Sequence, residues 1–364
     1  MAKSPYYLRV RRQLSVWREV GAPPSVLRWI RQGVRLAWEG GPPPPFHFDN
    51  YLIPDEAEQW WKEGEERRLL ELGAIEAGES GAYVSPAFMV PKSTPGQWRL
   101  VIDLRHLNGF AKKFSTRLET LKMVGQVAYA DDHMIVIDIA DGFYQIAVAE
   151  EDRDFLTFRL FGRLYRFVGL PMGYTNSPYH FCRLMRVVNQ YLRDPQMAVN
   201  RSYRAKQENV PRKNQGVRLI SYMDDMLFLL SKSQMRAGDC VDWILATLKH
   251  LGLTVKEEKC QLVPRKRQTF LGLDIDLESG VFQVPEVKQR KLKQNAHDLL
   301  CRSARNRRLV NARRLAAFVG RCQSLALAVP STRFFLRSLH DALTGRDHQW
   351  RGNVRLSRAA LRDL

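Results

Sequence analysis

The sequence has few acidic residues relative to basic ones, and it lacks both paired cysteines and long apolar runs. Its 364 residues include 57 lysines and arginines but only 38 aspartates and glutamates, which gives a formal net charge of +19. No window is apolar over the roughly 20 residues that a membrane helix requires. The five cysteines are odd in number and show no CxxC spacing, which argues against a disulfide framework or a zinc ribbon. These absences indicate an intracellular protein from a reducing compartment.

The positive charge is the strongest global signal in the composition. An excess of this size favours a polyanionic partner, either a nucleic acid or an anionic membrane surface, although a basic structural or ribosome-associated protein would have the same composition. Apolar residues at 45% and charged residues at 26% are typical of a globular chain. The composition therefore predicts a folded protein that meets a polyanion, without identifying that partner.

The N-terminal segment combines a high arginine content with helical periodicity. The stretch "YYLRVRRQLSVWREVG" contains a single acidic residue, Glu19, and in this it resembles a mitochondrial transit peptide. Its periodic pattern continues through "SVLRWIRQGVRLAW" and stops at the proline run "GPPPPF", where the chain becomes stiff and extended. We therefore expect a folded, basic helical extension with a proline-rich linker over residues 1–46, and a cytoplasmic or nuclear location rather than a mitochondrial one.

Three further regions follow from changes in the sequence pattern. Residues 47–284 begin with the helical pattern "PDEAEQWWKEGEERRLLELGAIE", which has an acidic first turn, and continue as alternating strands and helices. Residues 285–345 are predicted to be helical, and residues 346–364 to begin a further region. The apolar face of the helical region includes Leu315, Phe318, Val319, Cys322 and Leu325.

One polar and basic stretch, residues 194–216, shows no periodicity of either kind. It is longer than the connection between a helix and a hairpin requires. We expect an exposed loop that is a disordered insertion, and a role in template binding is the alternative.

Two adjacent carboxylates, Asp224 and Asp225, stand between apolar runs in "LISYMDDMLFLL". An acidic pair in a turn between strands is common, because aspartate hydrogen-bonds locally and tolerates turn geometry. A third carboxylate, Asp138, ends the apolar run of "MIVIDIADGF", where a buried charge is costly unless it is paired or bound to metal. If that strand lies beside the hairpin, the three carboxylates repel one another, and hard divalent cations would relieve the repulsion. For Asp138 alone, a cap at the end of a strand is an equally good interpretation.

Several motifs occur in an order that resembles the reverse transcriptases of retroviruses and LTR-type retroelements. They are "WRLVIDLRHLN", "IDIADGFYQIAVAEEDR", "LYRFVGLPMGYTNSPYHFCRLM", "SYMDDMLFLL", "LTVKEEKC" and "TFLGLDI", and they lie between about residues 68 and 345. The resemblance implies an α/β right-hand polymerase: fingers and a palm with an antiparallel sheet over residues 47–284, and a helical thumb over residues 285–345. It implies an RNA-directed DNA polymerase that binds an RNA template, a DNA primer, the RNA–DNA duplex and deoxyribonucleoside triphosphates, with no membrane partner.

The resemblance also implies a role for each matching residue. It makes Asp138, Asp224 and Asp225 the ligands of two Mg²⁺ or Mn²⁺ ions, with the backbone carbonyl of Ile139 assisting, and Lys259 the acid that protonates the pyrophosphate leaving group. Lys92 and Arg99 flank the tip of a predicted hairpin whose turn is "STPGQ", and they match the residues that grip the incoming triphosphate. Without the motif, the two cations would be interpreted as ordinary solvent-exposed side chains on the face of a hairpin. The remaining matches are the primer-grip turn, Phe270, Leu271 and Gly272.

Two positions near the nucleotide decide details of specificity. Phe143 lies five residues after Asp138, where the family places an aromatic ring under the sugar; a core aromatic is the alternative interpretation. Met172 departs from the retroviral pattern, which has glutamine there, so a polar contact to the nucleotide is not expected from it. Gly173 would still allow the backbone to approach the nucleotide closely.

The N-terminal stretch and the end of the chain give finer expectations. "VWREVGAPPSVLRWIRQGVRLAW" followed by "GPPPPF" looks most like DIRS-type elements, and a gypsy-like element is the alternative. The family normally continues into a ribonuclease H domain, and no second carboxylate constellation follows the predicted thumb. We therefore expect residues 346–364 to begin a connection that is truncated before such a domain.

Three rival functions share parts of this pattern. A domesticated or inactive copy would bind nucleic acid without synthesis, and the intact set of three carboxylates argues against it. A viral-type RNA polymerase shares the palm, but "YMDD" and an aromatic residue at the sugar favour DNA synthesis. A basic structural protein would require the ordered motifs to be accidental.

Overall fold

The computed structural model describes residues 4–92, 94–194, 216–237, 239–345 and 350–364. The chain forms two compact units. The first consists of residues 1–120 and 136–262, and the second of residues 121–135 and 263–364. Most of the predicted loop over residues 194–216 lies outside the described residues.

The strands form sheets of two to five members. In chain order they are β1 (Phe46–His47), β2 (Ile75–Ala77), β3 (Tyr83–Ser85), β4 (Ala87–Pro91), β5 (Trp98–Ile102), β6 (His133–Asp138), β7 (Thr157–Leu160), β8 (Arg163–Phe167), β9 (Arg218–Tyr222), β10 (Asp225–Leu230), β11 (Gln261–Arg265), β12 (Arg267–Phe270), β13 (Leu273–Asp276), β14 (Val281–Gln283), β15 (Leu309–Asn311) and β16 (Asn353–Arg355). One sheet has the order β1-β3-β7-β8-β2, and another the order β11-β6-β10-β9. Strands β4 and β5 form a separate antiparallel hairpin, as do β15 and β16, and β12-β13-β14 form a small meander.

The described α-helices range from four to 20 residues in length. The α-helices are Tyr6–Arg12, Leu14–Glu19, Pro24–Gln32, Asp55–Trp60, Glu66–Glu71, Arg105–Phe110, Val124–Val127, Ser177–Arg193, Lys232–Ala237, Cys240–His250, Glu286–Arg305, Ala312–Gln323, Thr332–Phe335, Arg337–Asp341 and Arg358–Asp363. Short 3-10 helices are Leu121–Met123, Gly142–Gln145, Glu150–Leu156 and Glu257–Lys259. No helix among the described residues is both long enough and apolar enough to pass through a bilayer.

The N-terminal helices pack into the first unit. Trp17 is fully buried, and its indole Nε1 donates a hydrogen bond to the carbonyl of Leu251 at 2.9 Å. Val34 forms a parallel bridge with Val148. Through these contacts the N-terminal helices belong to the first unit. The structure has no unit boundary near residue 46, where the sequence predicted the end of an extension.

The boundary predicted after residue 284 also differs from the division that the structure makes after residue 262. The small meander of β12, β13 and β14 belongs to the second unit, with the helices that follow it. In that unit, Leu315, Phe318 and Val319 are buried on one helix face, as the periodicity predicted. The assignment of particular stretches to fingers, palm, thumb and connection stays a prediction.

The helix predicted from "PDEAEQWWKEGEERRLLELGAIE" forms with a local defect. It has the expected acidic first turn, with Asp55, Glu56 and Glu58. The α-helical pieces are separated by a π-helical turn, Trp61–Glu65. Within this turn Gly64 has non-helical backbone angles, so the helix is kinked at this point.

Candidate active site

The acidic turn lies between β9 and β10. Tyr222 pairs with Asp225 across the antiparallel ladder, so Met223 and Asp224 form a two-residue turn. Met223 has a φ of 55°, in the left-handed region. A residue other than glycine in that region costs about 1–3 kcal/mol, and such strain persists only where the surrounding structure enforces it. The turn therefore presents its two carboxylates in a strained but defined geometry.

The third carboxylate, Asp138, ends β6, which lies next to β10 in the sheet. Asp138 is buried, with 8% of its surface exposed. The next backbone amide, that of Ile139, donates a hydrogen bond to the carbonyl of Asp224 at 2.9 Å. On the other side, the amide of Lys256 donates to the carbonyl of Asp138 at 2.8 Å. Backbone bonds thus hold Asp138 beside the acidic turn, as the motif order predicted.

The carboxylates act on one another electrostatically. Burial, followed by the charges of Asp224 and Asp138, raises the pKa of Asp225 to about 6. The pKa of Asp224 is also raised, mainly by burial and further by the charge of Asp138. Lys259 opposes both shifts, and its Nζ lies 3.4 Å from Asp138 Oδ2. The site therefore concentrates negative charge that a cation would relieve.

The donor set fits a hard divalent cation, since Mg²⁺ and Mn²⁺ take carboxylate oxygens as ligands. Repulsion among the three carboxylates is the observation that supports this fit. In the described part of the chain, no three side chains are already arranged as a closed metal site. Asp138, Asp224 and Asp225 therefore have the chemistry of metal ligands without forming a closed site as they stand.

These acids open into a cleft of about 490 Å³ within the first unit, which Asp138 and Asp224 line. Lys92 and Arg99 also line it, from the hairpin of β4 and β5. Arg99 pairs with Val90 in the ladder, and the amide of Lys92 donates to Gln97 at 2.8 Å, which closes the hairpin near its tip. The structure therefore brings the predicted cations and two of the predicted metal ligands into one cavity.

Each of the two cations has a distinct environment. The Lys92 ammonium lies 5.2 Å from the centre of the Trp60 ring, a cation–π contact. Burial lowers the pKa of Lys92, which Glu65 opposes. The Lys259 ammonium is 58% exposed and is the one that pairs with Asp138. In this structure Lys259 serves as a counter-ion to a carboxylate.

The residues predicted to surround the sugar and base lie at the same cleft or next to it. Phe143 is partly buried in the short helix Gly142–Gln145, and its ring meets that of Phe181 edge-on at 5.6 Å. Met172 is 58% exposed and lines the cleft. The next residue, Gly173, has a φ of 96°, and its carbonyl accepts a hydrogen bond from Asn108 Nδ2 at 2.7 Å.

The predicted primer-grip residues belong to the second unit. Phe270 ends β12 and is 3% exposed, and Leu271 and Gly272 form the turn to β13 with φ of 45° and 79°. The carbonyl of Gly272 accepts a hydrogen bond from Lys288 Nζ at 2.7 Å. The sequence prediction of a turn at this point is confirmed, while its role with a primer stays a prediction.

Sequence reasoning missed several residues that line the cleft. Arg68 donates to both carboxylate oxygens of Glu65, each at 2.8 Å, and to Asp141 Oδ2 at 3.2 Å. The hydrogen bonding that Arg68 donates to Glu65 is the main cause that raises the pKa of the Arg68 guanidinium. Lys256 also lines the cleft. Of these residues, Asp141, three positions after Asp138, and Lys256 lie within the quoted motifs. Glu65 and Arg68 come from a helix that is distant in sequence, so the motifs gave no sign of them.

The sequence of this chain is similar to a known family model and to viral polyproteins. A family model described as "Reverse transcriptase (RNA-dependent DNA polymerase)" matches residues 90–285. The Gag-Pro-Pol polyprotein of bovine leukemia virus (isolate Australian) is 27% identical over 287 residues, which cover 77% of this chain and 18% of that polyprotein. The Pol polyprotein of equine infectious anemia virus (isolate CL22) is 28% identical over 206 residues, which cover 54% of this chain and 16% of that polyprotein. The chain thus spans less than a fifth of each.

Solved structures support the fold. The foamy viral protease-reverse transcriptase dRH in complex with ds DNA matches with a TM-score of 0.66 and 16% identity, covering 97% of this chain and 58% of the other. The foamy viral protease-reverse transcriptase in complex with an RNA/DNA hybrid matches with a TM-score of 0.66 and 17% identity, covering 97% and 44%. These likenesses confirm a mixed α/β architecture of the right-hand polymerase type.

Proposed function

Because the chain belongs to the reverse transcriptase (RNA-dependent DNA polymerase) family, we propose that it extends a DNA primer on an RNA or DNA template. The substrates would be deoxyribonucleoside triphosphates, and the reaction would be nucleotidyl transfer. One observation carries the proposal: carboxylates on adjacent strands and cations on a hairpin line a single cleft. That arrangement can bind divalent cations on one side and a triphosphate on the other.

The carboxylates would hold two Mg²⁺ or Mn²⁺ ions, with Asp138, Asp224 and Asp225 as ligands and the carbonyl of Ile139 assisting. When bound, such ions would supply positive charge that activates an attacking oxygen and stabilises a leaving one. The proposal is supported by the raised pKa values of Asp224 and Asp225, which burial raises most and the neighbouring carboxylates raise further.

The cations would act on the moving phosphates. The primer 3′-hydroxyl oxygen would attack the α-phosphorus while the hydroxyl gives its proton to water, and the bond from the α-phosphorus to the α,β-bridging oxygen would break to release pyrophosphate. Lys92 and Arg99 would neutralise charge on the β- and γ-phosphates, where positive charge is most effective. Lys92 would then leave the Trp60 ring for the triphosphate. Lys259 would exchange its contact with Asp138 for the pyrophosphate, to which it would give a proton.

Other residues would set substrate selection and duplex position. Phe143 would exclude the ribose 2′-hydroxyl, Met172 would contact the nucleotide without a polar bond, and Gly173 would bring backbone near it. The turn at Phe270, Leu271 and Gly272 would hold the primer. The arginine and lysine side chains of the second unit would follow the duplex backbone without reading its sequence.

We further propose that the chain derives from a retrotransposon of DIRS type, with a gypsy-like element as the alternative. This rests on the N-terminal sequence "VWREVGAPPSVLRWIRQGVRLAW" and the proline run after it. Such an enzyme would act in the cytoplasm or nucleus.

The alternative function is nucleic-acid binding without synthesis, as in a domesticated or inactive copy. The ion pair between Lys259 and Asp138, which occupies a proposed metal ligand, is the observation that favours it. Primer extension separates the two functions. A DNA primer annealed to an RNA template is incubated with Mg²⁺ and either deoxyribonucleotides or ribonucleotides.

We expect extension with deoxyribonucleotides that requires both the template and the divalent ion. Duplex binding without extension under Mg²⁺ and Mn²⁺ would favour the alternative. Extension with ribonucleotides at the same efficiency would indicate an RNA polymerase instead.

A further inference from the structure

The helical wall of the cleft carries a group of side chains that the proposed chemistry does not use. The π-helical turn Trp61–Glu65 ends at Glu65, and the α-helix Glu66–Glu71 follows directly. Glu65 and Arg68, one helical turn apart, both line the cleft. The kink at Gly64 comes directly before this pair of side chains.

Arg68 joins this wall to the floor of the cleft. Its Nε and one terminal nitrogen bind the two oxygens of Glu65 in a bidentate arrangement, both at 2.8 Å. Its other terminal nitrogen reaches Asp141 Oδ2 at 3.2 Å. The Glu65 side chain is only 11% exposed, so this pair is better protected from solvent than a surface ion pair. Each nitrogen of the guanidinium is therefore directed at a carboxylate.

Asp141 begins the turn that presents the predicted sugar gate. Its φ is 43°, in the left-handed region, and its carbonyl accepts a hydrogen bond from the Tyr144 amide at 2.8 Å. The helix Gly142–Gln145 that follows carries Phe143. Gly142 packs so closely on Phe181 that a Cβ there would lie 2.7 Å from the ring. A strained residue and a close glycine contact leave little freedom. Two side chains restrain the start of the turn: Gln145 Nε2 donates to the Ala140 carbonyl at 2.6 Å, and Arg68 pairs with Asp141.

We propose that Arg68 is a positioning residue: clamped by Glu65, it fixes the Asp141 turn and so sets the ring of Phe143 against the nucleotide sugar. The inference rests on the proposed function for its effect on sugar selection, but the clamp itself does not. A direct contact between Arg68 and the triphosphate is the less favourable arrangement, because it would require the guanidinium to leave two carboxylates that it already neutralises in part.

The neighbouring residue supplies a matched control. Arg67 is exposed, and Arg67→Gln removes the same charge from the same helix as Arg68→Gln does. Glu65→Gln is a milder second variant, since the amide keeps the shape of the side chain and loses the ion pair. Arg68→Lys keeps the charge but cannot reproduce the planar, bidentate arrangement.

Hydrogen–deuterium exchange over residues 139–146 tests the clamp without requiring activity. We expect the amides of Tyr144 and Ile146, which close the turn, to exchange about tenfold faster in Arg68→Gln, because a hydrogen bond to a charged group contributes about 1.5–3 kcal/mol. Glu65→Gln should show a smaller increase, and Arg67→Gln none. Unchanged exchange in Arg68→Gln, or an equal change in Arg67→Gln, would overturn the clamp.

The kinetic test measures the ratio of kcat/KM for a deoxyribonucleotide to that for the matching ribonucleotide. We expect Arg68→Gln to lower this preference about tenfold with duplex affinity unchanged, Arg68→Lys to recover it only in part, and Arg67→Gln to leave it as in the wild type. If Arg68→Gln raises the KM for both nucleotides equally, Arg68 binds the triphosphate and the proposal is wrong. If the wild type does not extend a primer at all, the proposed function fails while the exchange result still decides the clamp.

Discussion

On one side of the cleft, Asp138 ends one strand of a four-stranded sheet and Asp224 lies in the turn that leads into the neighbouring strand. The backbone hydrogen bond from the Ile139 amide to the Asp224 carbonyl links the two. On the other side, Lys92 and Arg99 stand on a hairpin of two strands, which share their ladder hydrogen bonds only with each other. Both sides belong to the first unit. The acids are largely buried and are held by backbone hydrogen bonds, whereas the cations lie on the smaller, two-stranded sheet.

This difference indicates that the two sides of the cleft have separate roles. Acids that repel one another must be held by their scaffold, and the sheet does so through backbone bonds that do not depend on a ligand. Cations that act on a triphosphate need to follow it, and a two-stranded hairpin has fewer neighbours to restrain it. We expect changes on the acid side to remove the chemistry, and changes on the hairpin side to weaken the use of the nucleotide.

The largest expected effect is on the acid side. Asp138→Asn or Asp224→Asn should lower the rate of primer extension by about a thousandfold or more, because each removes a charge from the proposed metal ligands. Primer extension under single-turnover conditions measures this rate. Duplex affinity should stay close to that of the wild type, and the exposed Asp242→Asn provides a matched control. Extension that survives either substitution would remove that residue from the metal site.

A smaller effect is expected on the hairpin side. Lys92→Ala or Arg99→Ala should lower kcat/KM for the nucleotide by about ten- to a hundredfold, the size of one lost charge-assisted contact. Steady-state kinetics with varied nucleotide concentration would show it, with Lys62→Ala, which removes an exposed cation of the π-helical turn, as the control. A loss of primer–template affinity with unchanged nucleotide kinetics would assign the two cations to the duplex instead.

Phe143, at the floor of the cleft, is expected to control the selection of the nucleotide sugar rather than the rate of extension. Phe143→Val should admit ribonucleotides and leave a residual preference for deoxyribonucleotides of about a hundredfold or less, since a pocket without a blocking ring discriminates weakly. Competition between the two nucleotide types in one extension reaction measures the preference. The fully buried Phe158→Val should destabilise the fold without changing selectivity. Equal selectivity in wild type and Phe143→Val would make Phe143 a packing residue.

The smallest expected effect is a change in stability. The pKa of Asp225 is raised to about 6, so its charged form is less favourable in the folded chain than in the unfolded one, and the cost is present above pH 6. As the pH falls through 6 the folded state takes up the proton, and the cost disappears towards the ordinary pKa of aspartate. Asp225→Asn should therefore raise the unfolding temperature by about 2 °C at pH 8 in EDTA. A difference that is the same at pH 5 would contradict this cause.

The parts of the molecule that the sequence predicted depend on local pattern or on ordered motifs. The hairpin of β4 and β5, the acidic first turn of the helix that begins at Asp55, and the turn at Asp224 are all short-range features. The proximity of Asp138 to that turn requires a long-range pairing, and it was predicted only because the motif order implied the fold.

The parts that the sequence did not predict depend on contacts between distant residues. Trp17 donates to Leu251 across 234 positions, so the N-terminal helices join the first unit, although their own periodicity gives no sign of it. Arg68 reaches Asp141 across 73 positions, from a helix whose π-turn has no sequence signature. Local pattern cannot supply such pairings, because they are decided by which surfaces the whole fold brings together.

The most direct test of the account is the incorporation of a single deoxyribonucleotide at a DNA primer end on an RNA template, measured in a single turnover with Mg²⁺. The wild type and Asp225→Asn are compared at protein concentrations that saturate the duplex. The account predicts rapid addition by the wild type, none by Asp225→Asn within the same time, and equal duplex affinity for both. Addition by Asp225→Asn at the wild-type rate would show that the acidic turn is not the catalytic centre.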